Sequence, residues 1–145
     1  MIARNRNELW GRVLMDELAR CGLQFVIVSP GSRSTPLVLA AANDARLRVT
    51  TQIDERSAGF MGLGVGKVTG APAALITTSG TAVANLFPAV VEAAQSETPL
   101  VVLTADRPPW LRGADANQTI EQRGIFRGYV RLFEELFPGE VSERG

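Results

Sequence analysis

Short, continuously apolar runs of strand length recur along this chain, each followed by a turn and a helix-length segment, and that alternation restricts the fold more than anything else in it. Gln24-Phe-Val-Ile-Val-Ser29 is apolar at successive positions, as expected of a strand covered on both faces. Before it, Leu9, Trp10, Val13, Leu14 and Leu18 share one face of a predicted helix over Glu8 to Cys21, with Gly22 as its stop. Pro30-Gly31 breaks the strand, and Thr35-Pro36 opens a predicted helix to about Asn43. The unit then repeats: a strand over Arg48 to Ile53 and a helix from Glu55 to Thr69, then a strand over Ala73 to Thr78 and a helix from Thr81 to about Glu97. Leu100 to Ala105 reads as a fourth strand. Strands alternating with helices require right-handed crossovers. The expected fold class is therefore α/β, a three-layer α/β/α arrangement with a mostly parallel sheet.

In such sheets ligands collect beyond the carboxyl ends of the strands. The polar turns of this sequence fall there: Ser29 to Thr35, Asp54-Glu55, Thr78 to Thr81 and Asp106-Arg107. After the rigid Pro108-Pro109 the chain turns polar. Phe126, Val130, Phe133 and Phe137 then suit a short amphipathic helix ended by Pro138-Gly139. The expected division is a domain over 1–128 and a tail, short helix or linker, over 129–145.

Composition removes several kinds of chemistry. The absence of histidine excludes Ser-His-Asp and Cys-His catalysis and the commonest metal ligand. A single cysteine, Cys21, excludes a disulfide framework and multi-cysteine zinc sites. With 15 Lys+Arg against 15 Asp+Glu there is no overall attraction to nucleic acid or to membrane surfaces. The start of the chain lacks the apolar core of a secretory signal. The uncharged run from Val68 to Val91 is interrupted by Pro72, Pro88 and Asn85 and reads as strand, turn and helix rather than a membrane span. A cytoplasmic protein is expected.

Two places could carry chemistry. At about 100° per residue, Gly59, Gly62 and Gly66 all lie within about 40° of Glu55 on a helix beginning there. Each glycine costs a helix about 1 kcal/mol relative to alanine, so the stripe implies close approach of a helix or a ligand. A carboxyl at its head would be poorly hydrated, which favours the protonated form and suits an acid that shares a proton. The same spacing fits a plain packing seam, with Glu55 as a favourable acid at a helix N-terminus. The second place, Ser29-Pro-Gly-Ser-Arg-Ser-Thr-Pro36, sets hydroxyls, backbone amides and Arg33 at a strand-to-helix turn. It reads as an anion cradle, and it matches neither the Walker pattern nor Gly-x-Gly-x-x-Gly.

The order and intervals of five motifs then carry a resemblance. They are Ser29 to Pro36, Asp54-Glu-Arg56, Thr78-Ser-Gly-Thr-Ala-Val-Ala-Asn85, Leu103-Thr-Ala-Asp-Arg-Pro108 and Ala116-Asn-Gln118. Over roughly residues 5 to 126 the chain closely resembles the start of the 2-succinyl-5-enolpyruvyl-6-hydroxy-3-cyclohexene-1-carboxylate synthases, thiamin-diphosphate transferases of menaquinone biosynthesis. The resemblance implies the pyrimidine-binding domain of such an enzyme. It implies that Glu55 bonds the aminopyrimidine ring and favours the imino tautomer, whose nitrogen takes the thiazolium C2 proton. It implies that Pro30, Thr78 and Asn85 line the pyrimidine, and that Ser32, Arg33 and Gln118 bind isochorismate while 2-oxoglutarate supplies the succinyl unit. Arg107 is read as structural.

The part of such enzymes that holds diphosphate and Mg2+, with its Gly-Asp-Gly…Asn motif, has no counterpart in these residues, so no metal ligand is assigned here. The resemblance implies a partner, the diphosphate-binding domain of another subunit in a homo-oligomer, and no turnover by this chain alone. It also leaves the glycine face bare and open to self-association. Two other readings stand beside it: the small subunit of another two-subunit thiamin-diphosphate decarboxylase or lyase, and a non-catalytic interaction module.

Overall fold

The computed structural model describes residues 5–136. Helix α1 (Arg6–Arg20) is started by Asn5, whose side-chain oxygen accepts the Glu8 N–H at 2.9 Å. Strand β1 (Phe25–Val28) leads through a 3-10 turn (Ser32–Ser34) into α2 (Thr35–Ala42). Strand β2 (Arg48–Thr51), α3 (Glu55–Thr69) and β3 (Ala73–Thr77) follow. Next come α4 (Thr81–Asn85), α5 (Phe87–Gln95) and β4 (Leu100–Thr104). The four strands are all parallel, in the order β2-β1-β3-β4.

Alternate residues of the central strands supply two cores, as strand geometry requires. Val26, Val28, Ala74 and Ile76 pack with Met15, Leu23, Ala41 and Leu47 beneath α1 and α2. Ile27, Ala73 and Leu75 pack on the other face with Ala58, Val83, Leu86 and Val90 beneath α3, α4 and α5. The result is the expected three-layer α/β/α architecture.

Two details depart from the sequence reading. The helix expected over Thr81 to Glu97 is divided at Leu86, because Pro88 has no N–H to offer Ala84 one turn back. The amphipathic helix expected from Phe126 is absent over 126–136, where the chain runs through turns and irregular structure. Gly128 there takes φ of +87°, and Gly124 just ahead of the segment +68°, both outside the helical region. Phe126 turns into the core instead and stacks on Phe87 at 6.2 Å, and Tyr129 meets the same ring edge-on at 5.6 Å. Phe137 and the rest of the expected tail lie outside the described residues.

Candidate functional site

The parallel register brings the ends of the four strands to one edge. Ser29 N–H bonds the Ile76 carbonyl, Gln52 N–H the Val28 carbonyl and Ala105 N–H the Thr77 carbonyl, at 2.9–3.0 Å. Chain direction reverses between β1 and β3: β1 leads outward to β2, and α3 crosses back to β3 on the other side. A crevice at such a reversal is the usual ligand position in open α/β sheets. Here its two walls touch. A Cβ on Gly31 would lie 2.3 Å from Thr78 Cβ, so only glycine lets the Pro30 loop approach the end of β3. Ser29, Thr77, Thr78 and Ser79 are buried. The Ser29 hydroxyl donates to the Gln52 carbonyl at 2.9 Å, whereas the buried hydroxyls of Thr77 and Thr78 have no hydrogen-bond partner among the described residues.

Glu55 opens α3. Asp54 caps that helix by accepting the Ser57 N–H at 2.9 Å, and this bond above all holds the Asp54 carboxyl below its ordinary range. Glu55 is half-buried, and its Oε2 accepts a hydrogen bond from Asn85 Nδ2 at 3.2 Å. Asn85 is the last residue of α4, so the break at Leu86 is what ends the helix facing Glu55. One turn further along α3, Gly59 meets Ala89 of α5, where an added Cβ would stand 2.7 Å from the Ala89 Cβ. Gly62 faces Leu75 and Leu100, and Gly66 faces Thr98 and the Pro99 carbonyl. The stripe is therefore covered by this chain's own α5, β3 and β4 approach. The expectation of a bare, self-associating glycine face is corrected: the glycines exist to bring α3 close to its neighbours within the domain. The outward face of α3 is a different one, carrying Phe60, Met61 and Val68, with Ile53 just ahead of the helix.

Arg33 lies in the 3-10 turn after β1. Its Nη1 donates to Gln118 Oε1 at 2.9 Å and its Nη2 to the Asn117 carbonyl at 3.2 Å. Arg107, read from the sequence as structural, donates to the same carbonyl at 2.9 Å. Two guanidinium groups thus share one neutral acceptor, and the Nε of each is buried with no partner among the described residues. Asp106 does not neutralise Arg107's side chain. It accepts the Arg107 backbone N–H at 2.7 Å and pairs with Arg112 at 3.0 Å, while Arg112 Nε also donates to the Arg107 carbonyl at 3.3 Å. Arg112 and Arg123 both pair with Glu135. Burial pushes the Glu135 carboxyl up, but the hydrogen bonds from these arginines outweigh it and hold it below its usual range. Among the described residues neither guanidinium has a carboxylate partner, and positive charge converging in this way at a sheet edge is an arrangement for binding an anion. The available signal for Arg107 was its place two residues beyond Ala105, on the same edge as Arg33. The neighbouring Asp106 obscured it.

Gln118 has φ +59°, its backbone carbonyl accepts from the Ser79 hydroxyl at 2.8 Å, and its side chain holds Arg33. Ser32 and Pro30 are exposed and line an open cleft of about 450 Å³ with Val28, Thr35, Leu39 and Thr51. The structure thus joins Glu55 to Asn85, Arg33 to Gln118 and Thr78 to the Pro30–Gly31 loop, and sets Ser32 and Pro30 toward the β1–β2 side. Among the described residues no group of three or more His, Cys, Asp or Glu could hold a metal ion, and no helix is long and apolar enough to cross a membrane.

Comparison with known proteins gives the family. Residues 10–125 match the family described as thiamine pyrophosphate enzyme, N-terminal TPP binding domain. A Halobacterium salinarum protein named 2-succinyl-5-enolpyruvyl-6-hydroxy-3-cyclohexene-1-carboxylate synthase is 58% identical over 99% of this chain, covering 25% of its own length. Proteins of the same name from Rubrobacter xylanophilus and Shewanella baltica are 59% and 57% identical over 91% and 86% of this chain, covering 23% and 22% of theirs. The chain thus spans about a quarter of the length of the curated relatives it matches. This match over most of its length places the chain in the thiamine pyrophosphate enzyme family, as the N-terminal TPP-binding domain.

Proposed function

We propose that this domain forms the pyrimidine wall of a synthase that decarboxylates 2-oxoglutarate and adds the succinyl unit to isochorismate, as the names of its relatives suggest. The observation that carries the reading is the convergence of Arg33 and Arg107 on the Asn117 carbonyl, on the same sheet edge as Glu55. Isochorismate bears two carboxylates, and a forked guanidinium pairs with a carboxylate through two parallel hydrogen bonds. Arg33 and Arg107 would exchange their shared neutral carbonyl for that anion, with Gln118 keeping Arg33 in place. Ser32 would add a hydroxyl from the same turn.

The buried, unpartnered hydroxyls of Thr77 and Thr78 and the half-buried Glu55 fit a flat heterocycle bearing ring nitrogens and an amino group. When bound, thiamin diphosphate supplies the carbon nucleophile that takes up the acyl unit left by decarboxylation of a 2-oxo acid. Glu55 would hold a proton at a pyrimidine ring nitrogen, and Asn85 would fix the carboxylate that does so. Pro30 and Thr78 would line the ring. The diphosphate and its Mg2+ would be held by the rest of the protein. The apolar outward face of α3, with Val68 87% exposed, and Ile53 ahead of the helix, 83% exposed, suit a diphosphate-binding domain of another subunit in a homo-oligomer. Both substrates are small soluble carboxylates, in keeping with a cytoplasmic enzyme.

The test is kinetic, in the full-length protein. Glu55→Gln is expected to slow 2-oxoglutarate decarboxylation by about 10²–10⁴-fold. Arg33→Gln is expected to raise KM for isochorismate while leaving decarboxylation intact. Normal isochorismate KM in Arg33→Gln would refute the substrate assignment, and normal decarboxylation in Glu55→Gln would refute the role of the glutamate. The isolated 145-residue chain is expected to show no turnover, and synthase product formed by it alone would refute the shared-site reading.

A further inference from the structure

Gln122 is 6% exposed, and its side-chain amide is used at both ends. Oε1 accepts the Gly80 N–H at 2.9 Å, and Nε2 donates to the Ala105 carbonyl at 3.0 Å. Gly80 is the turn after β3, Ala105 follows β4, and Gln122 itself ends the loop that carries Asn117 and Gln118. One buried side chain therefore ties together three segments that each bring a group to the sheet edge. The contact between the first and last of them is tight. Gly80 has φ +82°, a Cβ on it would lie 2.9 Å from the Gln118 carbonyl oxygen, and Ser79 donates to that same oxygen at 2.8 Å. Gln118, itself at φ +59°, is thus pressed against a turn whose position Gln122 fixes.

We infer that Gln122 is a positioning residue. Its amide sets the separation between the Ser79–Gly80 turn and the end of β4, and through them places Gln118 and Arg107 relative to Arg33. A primary amide is required because one end must donate and the other accept without charge. Glutamate keeps the acceptor for Gly80 but sets a carboxylate against the Ala105 carbonyl. Methionine satisfies neither group and leaves the buried Gly80 N–H and the half-buried Ala105 carbonyl without the amide. The functional half of the inference rests on the assignment of Arg33, Arg107 and Gln118 to the carboxylates of isochorismate.

The experiment pairs hydrogen–deuterium exchange with steady-state kinetics on the full-length protein carrying Gln122→Met, Gln122→Glu or, as control, Arg33→Gln. In Gln122→Met, peptides over 79–83 and 115–121 are expected to exchange faster, with β1 and β3 unchanged. KM for isochorismate should rise about tenfold, while kcat and KM for 2-oxoglutarate hold. In Gln122→Glu, the ratio of variant to unmodified KM should fall toward one as pH is lowered, because the protonated carboxyl again donates to Ala105. A side chain that served stability alone would loosen the whole domain and show no such rescue. Unchanged exchange at 79–83 in Gln122→Met overturns the inference. So does an unchanged isochorismate KM in that variant when Arg33→Gln raises it. If Arg33→Gln also leaves that KM unchanged, the substrate assignment fails, and exchange over 115–121 alone decides whether Gln122 positions the loop. Should Gln122→Met fail to fold, Gln122→Glu at low and high pH supplies both readings.

Discussion

Replacing each glycine of α3 by alanine offers a graded test of how the helix head is held. All the substitutions are in one helix, so each brings the same propensity gain of about 1 kcal/mol, and differences between them report packing. At Gly64 an added Cβ has nothing within 4 Å, so Gly64→Ala should stabilise the domain. At Gly59 the Cβ would meet the Ala89 Cβ at 2.7 Å, about 0.7 Å short of the 3.4 Å at which ordinary contact begins. Neither atom can rotate away, so α3 and α5 must part. At Gly66 the obstacle is the Pro99 backbone carbonyl, also at 2.7 Å. At Gly62 it is the tips of Leu75 and Leu100, which can shift rotamer. Overpacking of this kind costs about 1–3 kcal/mol. Gly59→Ala and Gly66→Ala should therefore melt about 3–10 °C below Gly64→Ala, with Gly62→Ala between them. Thermal unfolding of the 145-residue chain, followed by circular dichroism, reads the order directly. Parting the helices at Gly59 also moves Glu55 from Asn85 one turn away, so Gly59→Ala in the full-length protein should slow decarboxylation as well. Equal melting temperatures for Gly59→Ala and Gly64→Ala would refute the seam and the placement of Glu55 that depends on it.

Two further outcomes are expected. Gly31→Ala sets a Cβ 2.3 Å from Thr78 Cβ. It should cost about 1–3 kcal/mol and weaken thiamin diphosphate binding, measured by calorimetry on the full-length protein; unaltered binding would place the cofactor away from this crevice. Hydrogen bonds from the Arg46 side chain lower the Asp44 carboxyl from 3.8 to about 2. A carboxyl lowered on folding stabilises the native state above its unfolded pKa, and that contribution is lost as pH falls through the folded value. The stability difference between the native chain and Arg46→Gln, which loses the pairs with Asp44 and with Asp16, should hold above pH 3.8 and shrink toward about 2. Urea unfolding at the two ends of that range checks it, and a difference that grows on acidification would reverse the reasoning.

Much of the candidate site's placement was legible because its signals are local. Glu55 follows a capping Asp54 at a helix start, and Arg33 follows a Pro-Gly break after an apolar strand, so chain order alone set both at strand ends. The glycine stripe was legible as a demand for close approach, but its neighbour was not: the pattern 59, 62, 66 does not say whether α5 or another subunit fills it. Arg107 was hidden because its effective charge depends on where Asp106 points, and Asp106 is taken by Arg112. Gln122 gave no signal, since a lone glutamine in a polar stretch looks the same whether solvated or buried between two backbone groups.

Periodicity and turn residues in the sequence determined the strands, the crossovers, the α/β class and the edge on which polar groups gather, because those depend on neighbours a few positions apart. Only the tertiary structure decided that α5 closes on the glycine face, that Asn85 meets Glu55 and that Gln118 meets Arg33. Those depend on packing between residues 30 to 85 positions apart, where distances are set by the whole fold and no local pattern carries them.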